Sequence, residues 1–348
     1  MRIIINNRYI GKGQPVYIIA EMSANHNQDF DQAVLILRAA KEAGADAIKL
    51  QTYTPDSLTI RSDKEYFRIG GGTLWDGQTL YDLYSEAYMP WEWQPELKKI
   101  ADDLGMALFS TPYDHTAVDF LEKIDVPAYK VASFELVDIS LLRKIAKTGK
   151  PIIMSIGMAS LAEIDEAVKA LRESGCTQLA LLKCTSAYPA SPNEMNLKTI
   201  PHLAEAFHVL AGLSDHTLGI AVPMAAVALG ACIIEKHITL SRDNPGPDST
   251  FSLEPQEFKE MVDSIRTVEK AIGQVNYEIT DKQKSSRVFR RSLFVVKDIK
   301  EGEVFSEENV RSIRPGYGLE PKYLKEVLGR KAKKYLTEGT PLNWSLIK

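Results

Sequence analysis

Cysteine is scarce in this chain of 348 residues. Its three thiols, Cys176, Cys184 and Cys232, are odd in number and form no C-x-x-C pair. That argues against a disulfide framework or a thiolate metal site and favours a reducing cytoplasm. A strong charge of one sign is also missing, since 42 Lys+Arg against 46 Asp+Glu leave a formal net charge of −4. Such a field repels phosphate polymers, so neither nucleic acid nor an anionic membrane is expected as a partner. An anionic small molecule would need a local cluster of cations. Long apolar runs are lacking too: the longest, 219–234, is too short for a membrane span, contains Pro223 and Gly230, and ends at Glu235 and Lys236. The first thirteen residues carry only the apolar run Ile3–Ile5, which is not a signal-peptide core. No glycine-rich phosphate loop follows the first strand candidate, and no Walker motif occurs.

What is present is regular alternation. A hydrophobic content of 45% and a charged content of 25% are ordinary globular values. Short β-branched or apolar runs at 16–22, 47–52, 107–112, 128–133, 151–157, 179–185, 209–215 and 231–239 alternate with amphipathic segments at 30–44, 91–105, 117–124, 139–148 and 161–175. A final helix is expected over 255–272. Ser160-Leu-Ala-Glu163 reads as a capping box, Asp29 and Asp114 as N-caps, and Gly44, Gly105 and Gly175 as helix stops. Eight βα repeats predict an α/β fold, a closed (β/α)8 TIM barrel over 1–273. A doubly wound open sheet has the same alternation but seldom reaches eight repeats. The connection 53–90 is long and rich in Gly, Trp and Tyr, as a lid or substrate loop would be. Residues 274–287 read as a linker, and 288–348 as a small α+β domain with strands near 292–296 and 341–347.

In such a barrel the active site lies at the C-terminal ends of the strands. The polar residues there are Glu21; Lys49 and Gln51; Thr111; Lys130, Ser133 and Glu135; Ser155; Lys183, Thr185, Ser186 and Tyr188; Ser214, Asp215 and His216; and Glu235, Lys236 and His237. Lys49 and Lys130 sit in apolar strands, where an ammonium is costly without a counter-charge. A bound anion would supply it, with hydroxyls and backbone N–H groups completing a phosphate or carboxylate site. Pairing with Glu21, Glu135 or Glu235 is the structural alternative, and a Schiff base on Lys130 or Lys183 the chemical one. His216 and His237 end two consecutive strands, which lie about 4.8 Å apart. Two imidazoles there, with oxygen donors and no thiolates, suit a Mn2+ or Mg2+ site with open positions. His26, His115, His202 and His208 read as ordinary core or surface residues.

These residues fall in motifs that resemble the sialic acid synthase family, phosphoenolpyruvate-condensing synthases of nonulosonic acids. The motifs are Ala20-Glu-Met-Ser-Ala-Asn-His26, Ile48-Lys-Leu-Gln-Thr52, Tyr129-Lys-Val-Ala-Ser-Phe-Glu135, Ser155-Ile-Gly-Met158, Gly212-Leu-Ser-Asp-His-Thr217, Glu235-Lys-His237 and Pro245-Gly-Pro-Asp248. The C-terminal stretch resembles the family's antifreeze-like (SAF) domain, with Arg314-Pro-Gly316 as its marker. The resemblance implies that His216 and His237 hold the divalent metal. It places Lys49, Thr111, Lys130, Ser133, Ser155, Ser186 and Ser214 around phosphoenolpyruvate, although Ser186 stands where the family commonly has Asn. Glu21, Gln51, Tyr188 and Asp248 would face an amino-sugar acceptor, and Arg314 would reach its acyl group from the other subunit of a domain-swapped homodimer.

The segment Gly72-Thr-Leu-Trp-Asp-Gly-Gln-Thr-Leu-Tyr81, followed by Pro90-Trp-Glu-Trp93, resembles the pseudaminic acid synthase subgroup. Its acceptor is a 2,4-diacetamido-2,4,6-trideoxy-L-altrose, and the faces of Trp75 and Tyr81 suit so apolar a sugar. Other family acceptors, leading to N-acetylneuraminate, legionaminate or a spore-coat sugar, are the alternatives. In the implied condensation Glu135 or Glu21 is the carboxylate that helps water add. The rival readings are a class I aldolase and a non-catalytic carbohydrate- or ice-binding protein.

Overall fold

The computed structural model describes residues 2–244 and 246–348 and divides into two compact units, Met1–Gly273 and Gln274–Lys348. In the first, eight parallel strands close into a barrel. They are β1 (Tyr17–Glu21), β2 (Ala47–Thr52), β3 (Ala107–Pro112), β4 (Tyr129–Val131), β5 (Ile152–Ser155), β6 (Leu179–Cys184), β7 (Leu210–Asp215) and β8 (Ile233–His237). Each strand is followed by a helix, in order α1 (Phe30–Glu42), α2 (Gln94–Asp103), α3 (His115–Lys123), α4 (Ile139–Ala146), α5 (Leu161–Glu173), α6 (Thr199–Phe207), α7 (Ala221–Ala228) and α8 (Pro255–Ile272).

The expected helix starts rest on the expected caps. Asp29 accepts from Asp31 N and Gln32 N, Asp114 from Thr116 N and Ala117 N, and Ser160 forms a reciprocal capping box with Glu163. The helices then bury one stripe each; in α1 it is Ala33, Ile36, Leu37 and Ala40, spaced to pack on the sheet.

Three local features differ from the sequence reading. Ile3–Ile5 and Arg8–Ile10 form an antiparallel hairpin across Asn6 and Asn7, both at positive φ, as Asn tolerates in a tight turn. Ile3, Ile5 and Ile10 are buried, and Arg8 pairs with Asp46 ahead of β2, so the hairpin covers the N-terminal face of the barrel. In the second unit, Ser292–Val295 pairs antiparallel with Val310–Ile313, whereas the expected strand at 341–347 is reduced to single bridges and a 3-10 turn. The expected linker is not free of helix either: Thr280 and Gln283 form a capping box that starts a helix over Asp281–Ser286.

Behind the strand ends lies a fully enclosed ion pair. Lys236 Nζ is 2.5 Å from Asp215 Oδ2, and the Asp215 carboxylate also accepts from Thr217 N and Oγ1. The two residues are register partners on β8 and β7, one step out of phase with His237, so they belong to the face opposite the lumen. Removing one partner leaves a buried charge uncompensated. Asp215→Ala is therefore expected to lower stability to urea by about 3–5 kcal/mol, and Asp215→Leu combined with Lys236→Met to cost clearly less.

Candidate active site

Register decides which strand-end residues meet. His237 of β8 is level with Glu21 of β1, and Glu21 with Lys49 of β2, so these three side chains share one layer of the lumen. In a neighbouring layer Cys184 of β6 and Glu235 of β8 are both level with Ser214 of β7. Lys183 is out of phase with this set. Its Nζ donates to Cys184 O at 2.8 Å, and it lines an outer cavity of about 830 Å3 with α5 and α6 residues such as Leu161 and His202. It is therefore not among the lumen residues, contrary to its place in the strand-end set.

Lys49 is paired. Its Nζ lies 2.7 Å from Glu21 Oε2, 3.7 Å from Glu235 Oε1 and 3.4 Å from Thr111 Oγ1. Burial works against its ammonium, but the two carboxylates overcome this and raise its pKa above the ordinary value. Lys130 is different. It is 1% exposed, donates to Ser155 Oγ at 2.7 Å and to Val131 O at 2.8 Å, and has no carboxylate within ion-pair distance among the described residues. Burial pulls its pKa down, only partly offset by the more distant Glu235.

Beside Lys130 is a hydroxyl cradle. Gly157 N donates to Ser133 Oγ at 3.0 Å. A Cβ at Gly157 would collide with Ser186 Oγ and come within 2.8 Å of Ser133 Oγ, so only glycine leaves these hydroxyls in place. Ser214 Oγ donates to Glu235 Oε1 at 3.1 Å, on the side of the lumen toward the histidines.

The His216 and His237 rings are 5.3 Å apart and inclined at 67°. His216 Nδ1–H donates to Thr185 O at 3.1 Å, so that in the neutral ring the lone pair is on Nε2. Burial works against charge on this ring, but Cys184 Sγ, 3.9 Å from Nδ1, and Thr185 O outweigh it and raise its pKa. Tyr188 packs on His216 at 4.5 Å, and Phe251 on His237 at 4.9 Å. His237 Nδ1 is buried with no protein partner. Burial, followed by the neighbouring His216, pushes the His237 pKa well down and keeps the ring neutral, the state that ligates a metal. Among the described residues no cluster of three or more His, Cys, Asp or Glu gathers around one point. Two imidazoles with positions left for water and substrate oxygens are what these residues offer.

A polar chain crosses the β1 and β2 ends. Gln51 Nε2 donates to Glu21 Oε1 at 3.0 Å and to Ser23 Oγ at 2.8 Å, and Ser23 Oγ donates to Asp248 Oδ2. Pro245, at the start of the motif carrying Asp248, lies outside the described residues. Glu135, at the β4 end, has an unpartnered Oε2, and burial lifts its pKa to about 7. Trp75, from the 53–90 insertion, packs against Tyr188 at 5.8 Å and donates from Nε1 to Pro247 O at 3.1 Å. Tyr81 does not join it: Arg61 covers its ring at 4.3 Å and its hydroxyl donates to Asp56. His26 is held in the core, where Nδ1 accepts from Gln28 N. Arg314 is exposed on the second unit. The sequence assigns no individual role to Gly157 or Ser23, which stand inside the motifs, or to Cys184; for Cys184 the signal is available, since it alternates in phase with Leu182 on β6.

Comparison with known proteins identifies the family. Residues 36–277 match the NeuB family and residues 290–348 the SAF domain. A pseudaminic acid synthase of Campylobacter jejuni is 49% identical over 95% of this chain and 96% of its own length. An N,N'-diacetyllegionaminic acid synthase of the same species is 38% identical over 92% of this chain and 97% of its own. The crystal structure of an N-acetylneuraminic acid synthetase from Leptospira borgpetersenii superposes with a TM-score of 0.73 at 31% identity, covering 82% of this chain and 95% of that one. The chain belongs to the NeuB family, the sialic acid synthase family that its motifs resemble, and is a carbon–carbon bond-forming synthase with a TIM barrel and a SAF domain.

Proposed function

We propose that this enzyme condenses phosphoenolpyruvate with an open-chain N-acetylated amino sugar and water, giving a nonulosonic acid and phosphate. The acceptor on this reading is 2,4-diacetamido-2,4,6-trideoxy-L-altrose and the product pseudaminic acid. The observation that carries the reading is Lys130, a buried ammonium with no acid partner beside the Ser133–Gly157–Ser186 cradle. The charged form of such a lysine is favoured when a substrate brings an anion beside it. The higher identity to the pseudaminic acid synthase, 49% against 38%, and Trp75 packed on Tyr188 at the bowl formed by the strand ends support the choice of acceptor.

Lys130, Lys49, Thr111, Ser155 and the cradle hydroxyls would hold the phosphate and carboxylate of phosphoenolpyruvate and fix its enol carbon beside the acceptor. Glu21, Gln51, Tyr188 and Asp248 would orient the acceptor. His216 and His237 would hold a divalent cation, Mn2+ or Mg2+, whose chemistry when bound is to polarise a carbonyl. As carbon–carbon bond formation leaves positive charge at C2 of the former phosphoenolpyruvate, the Glu135 carboxylate would stabilise that charge and take a proton from the water that adds there. Phosphate then departs by C–O cleavage. Arg314, which enters no ion pair among the described residues, would complete a neighbour's acceptor pocket in a domain-swapped homodimer. The three free thiols support a cytoplasmic setting.

The decisive experiment measures phosphate release from phosphoenolpyruvate with a panel of amino-sugar acceptors. Turnover is expected with the diacetamido-trideoxy sugar, abolished by EDTA and restored by Mn2+. Borohydride trapping of a keto acid on the enzyme with indifference to EDTA would favour an aldolase, and no phosphate from any acceptor would overturn the assignment. Lys130→Met should raise the KM for phosphoenolpyruvate about 10- to 100-fold. Gly157→Ala should raise it about tenfold or more with little change in Tm, because the serine hydroxyls can rotate away but then leave the cradle. With an acid held near 7, kcat should climb as pH rises through about 7, because the base form is the carboxylate. Glu135→Gln should remove that limb and lower kcat about 10^2- to 10^4-fold.

A further inference from the structure

Three tyrosines outside the machinery described above form a second feature of the bowl. Tyr53 directly follows β2 and Tyr113 directly follows β3, and the preceding residues, Thr52 and Pro112, are register partners, so the two chains leave the barrel side by side. Their rings meet at 5.1 Å with planes inclined at 73°. Tyr84 comes from the helix Leu80–Ala87 inside the 53–90 insertion and meets Tyr53 at 5.8 Å and 73°. Two edge-to-face contacts in series make one continuous aromatic surface.

Packing alone does not account for the three hydroxyls. A buried phenol normally finds a hydrogen-bond partner, as Tyr129 does at 2.7 Å on Glu122. Among the described residues no group bonds the hydroxyl of Tyr53, Tyr84 or Tyr113, and none of the three is among the fully enclosed, unsatisfied polar atoms. Each hydroxyl therefore keeps some accessible surface and, among the described residues, has no protein partner. Chain position locates this surface at the strand ends: Tyr53 and Tyr113 directly follow the register-paired ends that carry Gln51 and Thr111. The carboxylates of Asp248 beside Tyr53, Glu135 beside Tyr84 and Tyr113, and Glu21 beside Tyr113 border it. Burial first, and then these carboxylates, hold the phenols protonated, so each remains a donor. The wall lies at β2 and β3, whereas the paired imidazoles lie at β7 and β8. A sugar whose carbonyl end is at the imidazoles would present its far end to the wall.

We infer that Tyr53, Tyr84 and Tyr113 form a specificity wall that reads an acylamino group on the far part of the acceptor sugar. An amide carbonyl is the strong acceptor that free phenol donors lack, and the acyl methyl fits against ring faces. Because Tyr84 is carried by the insertion and the other two by the barrel, the insertion completes the wall. The inference rests on the proposed condensation and adds to it the residues that choose among amino sugars.

Tyr84→Phe and Tyr113→Phe keep the rings and remove only the donors, so folding is spared. The test measures kcat and KM for both substrates, using the 2,4-diacetamido-2,4,6-trideoxy acceptor and an analogue with a hydroxyl in place of the 4-acetamido group. Each variant should raise the KM for the diacetamido acceptor about 3- to 10-fold, leave the KM for phosphoenolpyruvate unchanged, alter kcat less than about twofold, and narrow the discrimination between the two sugars by the same factor. An unchanged KM and unchanged discrimination in an enzyme that still releases phosphate would overturn the wall alone. No phosphate release from the unaltered enzyme with any amino sugar would overturn the condensation and the wall together.

Discussion

The site is organised around the cost of keeping ammonium groups out of water. Lys49 and Lys130 are both inside the barrel, 4% and 1% exposed, yet the barrel supplies acids to only one of them. Glu21 and Glu235 compensate Lys49 and fix its position, while Lys130 has only a hydroxyl and a carbonyl. A charge left in that state favours an anion beside it. On the proposed reading the binding energy of an anionic substrate is prepared by folding, and Gly157, between Ser133 and Ser186, leaves their hydroxyls room.

Parallel register gives this arrangement its precision. Adjacent strands carry side chains of matching phase to the same layer, so Glu21, Lys49 and His237 converge without any loop having to adjust. The phase that sends His237 inward sends Lys236 outward to Asp215, where the pair ties the ends of β7 and β8 together behind the imidazoles. Strand ends that are rigid for structural reasons are well suited to hold two rings 5.3 Å apart. The insertion adds aromatic contacts that the strands do not supply: Trp75, anchored on Pro247 O and packed on Tyr188, and Tyr84 beside Tyr53.

Much of this was legible beforehand because it depends on period and spacing. Eight apolar runs with helical segments between them, cap residues at Asp29, Asp114 and Ser160, and polar residues at the run ends all have local causes that residue order exposes. The hairpin around Asn6 and Asn7 was missed because its strands are only three residues long, too short to establish a period. The helix after Thr280 was missed because it is polar all round. The expected strand near 341–347 failed for the opposite reason, an apolar stretch whose residues fill a core without entering a ladder.

Sequence by itself determined the fold class, the strand ends and the identity of nearly every polar group in the bowl, since each follows from alternation along one segment. Tertiary structure alone decided how those groups pair. Whether Lys49 or Lys130 received the carboxylates, that Lys183 points outward, that Tyr81 is covered while Tyr84 and Tyr113 are not, and that Gly157 separates two hydroxyls are all matters of distance between residues far apart in the chain. Their energies depend on burial and on charges from several strands at once, and no single segment carries that information.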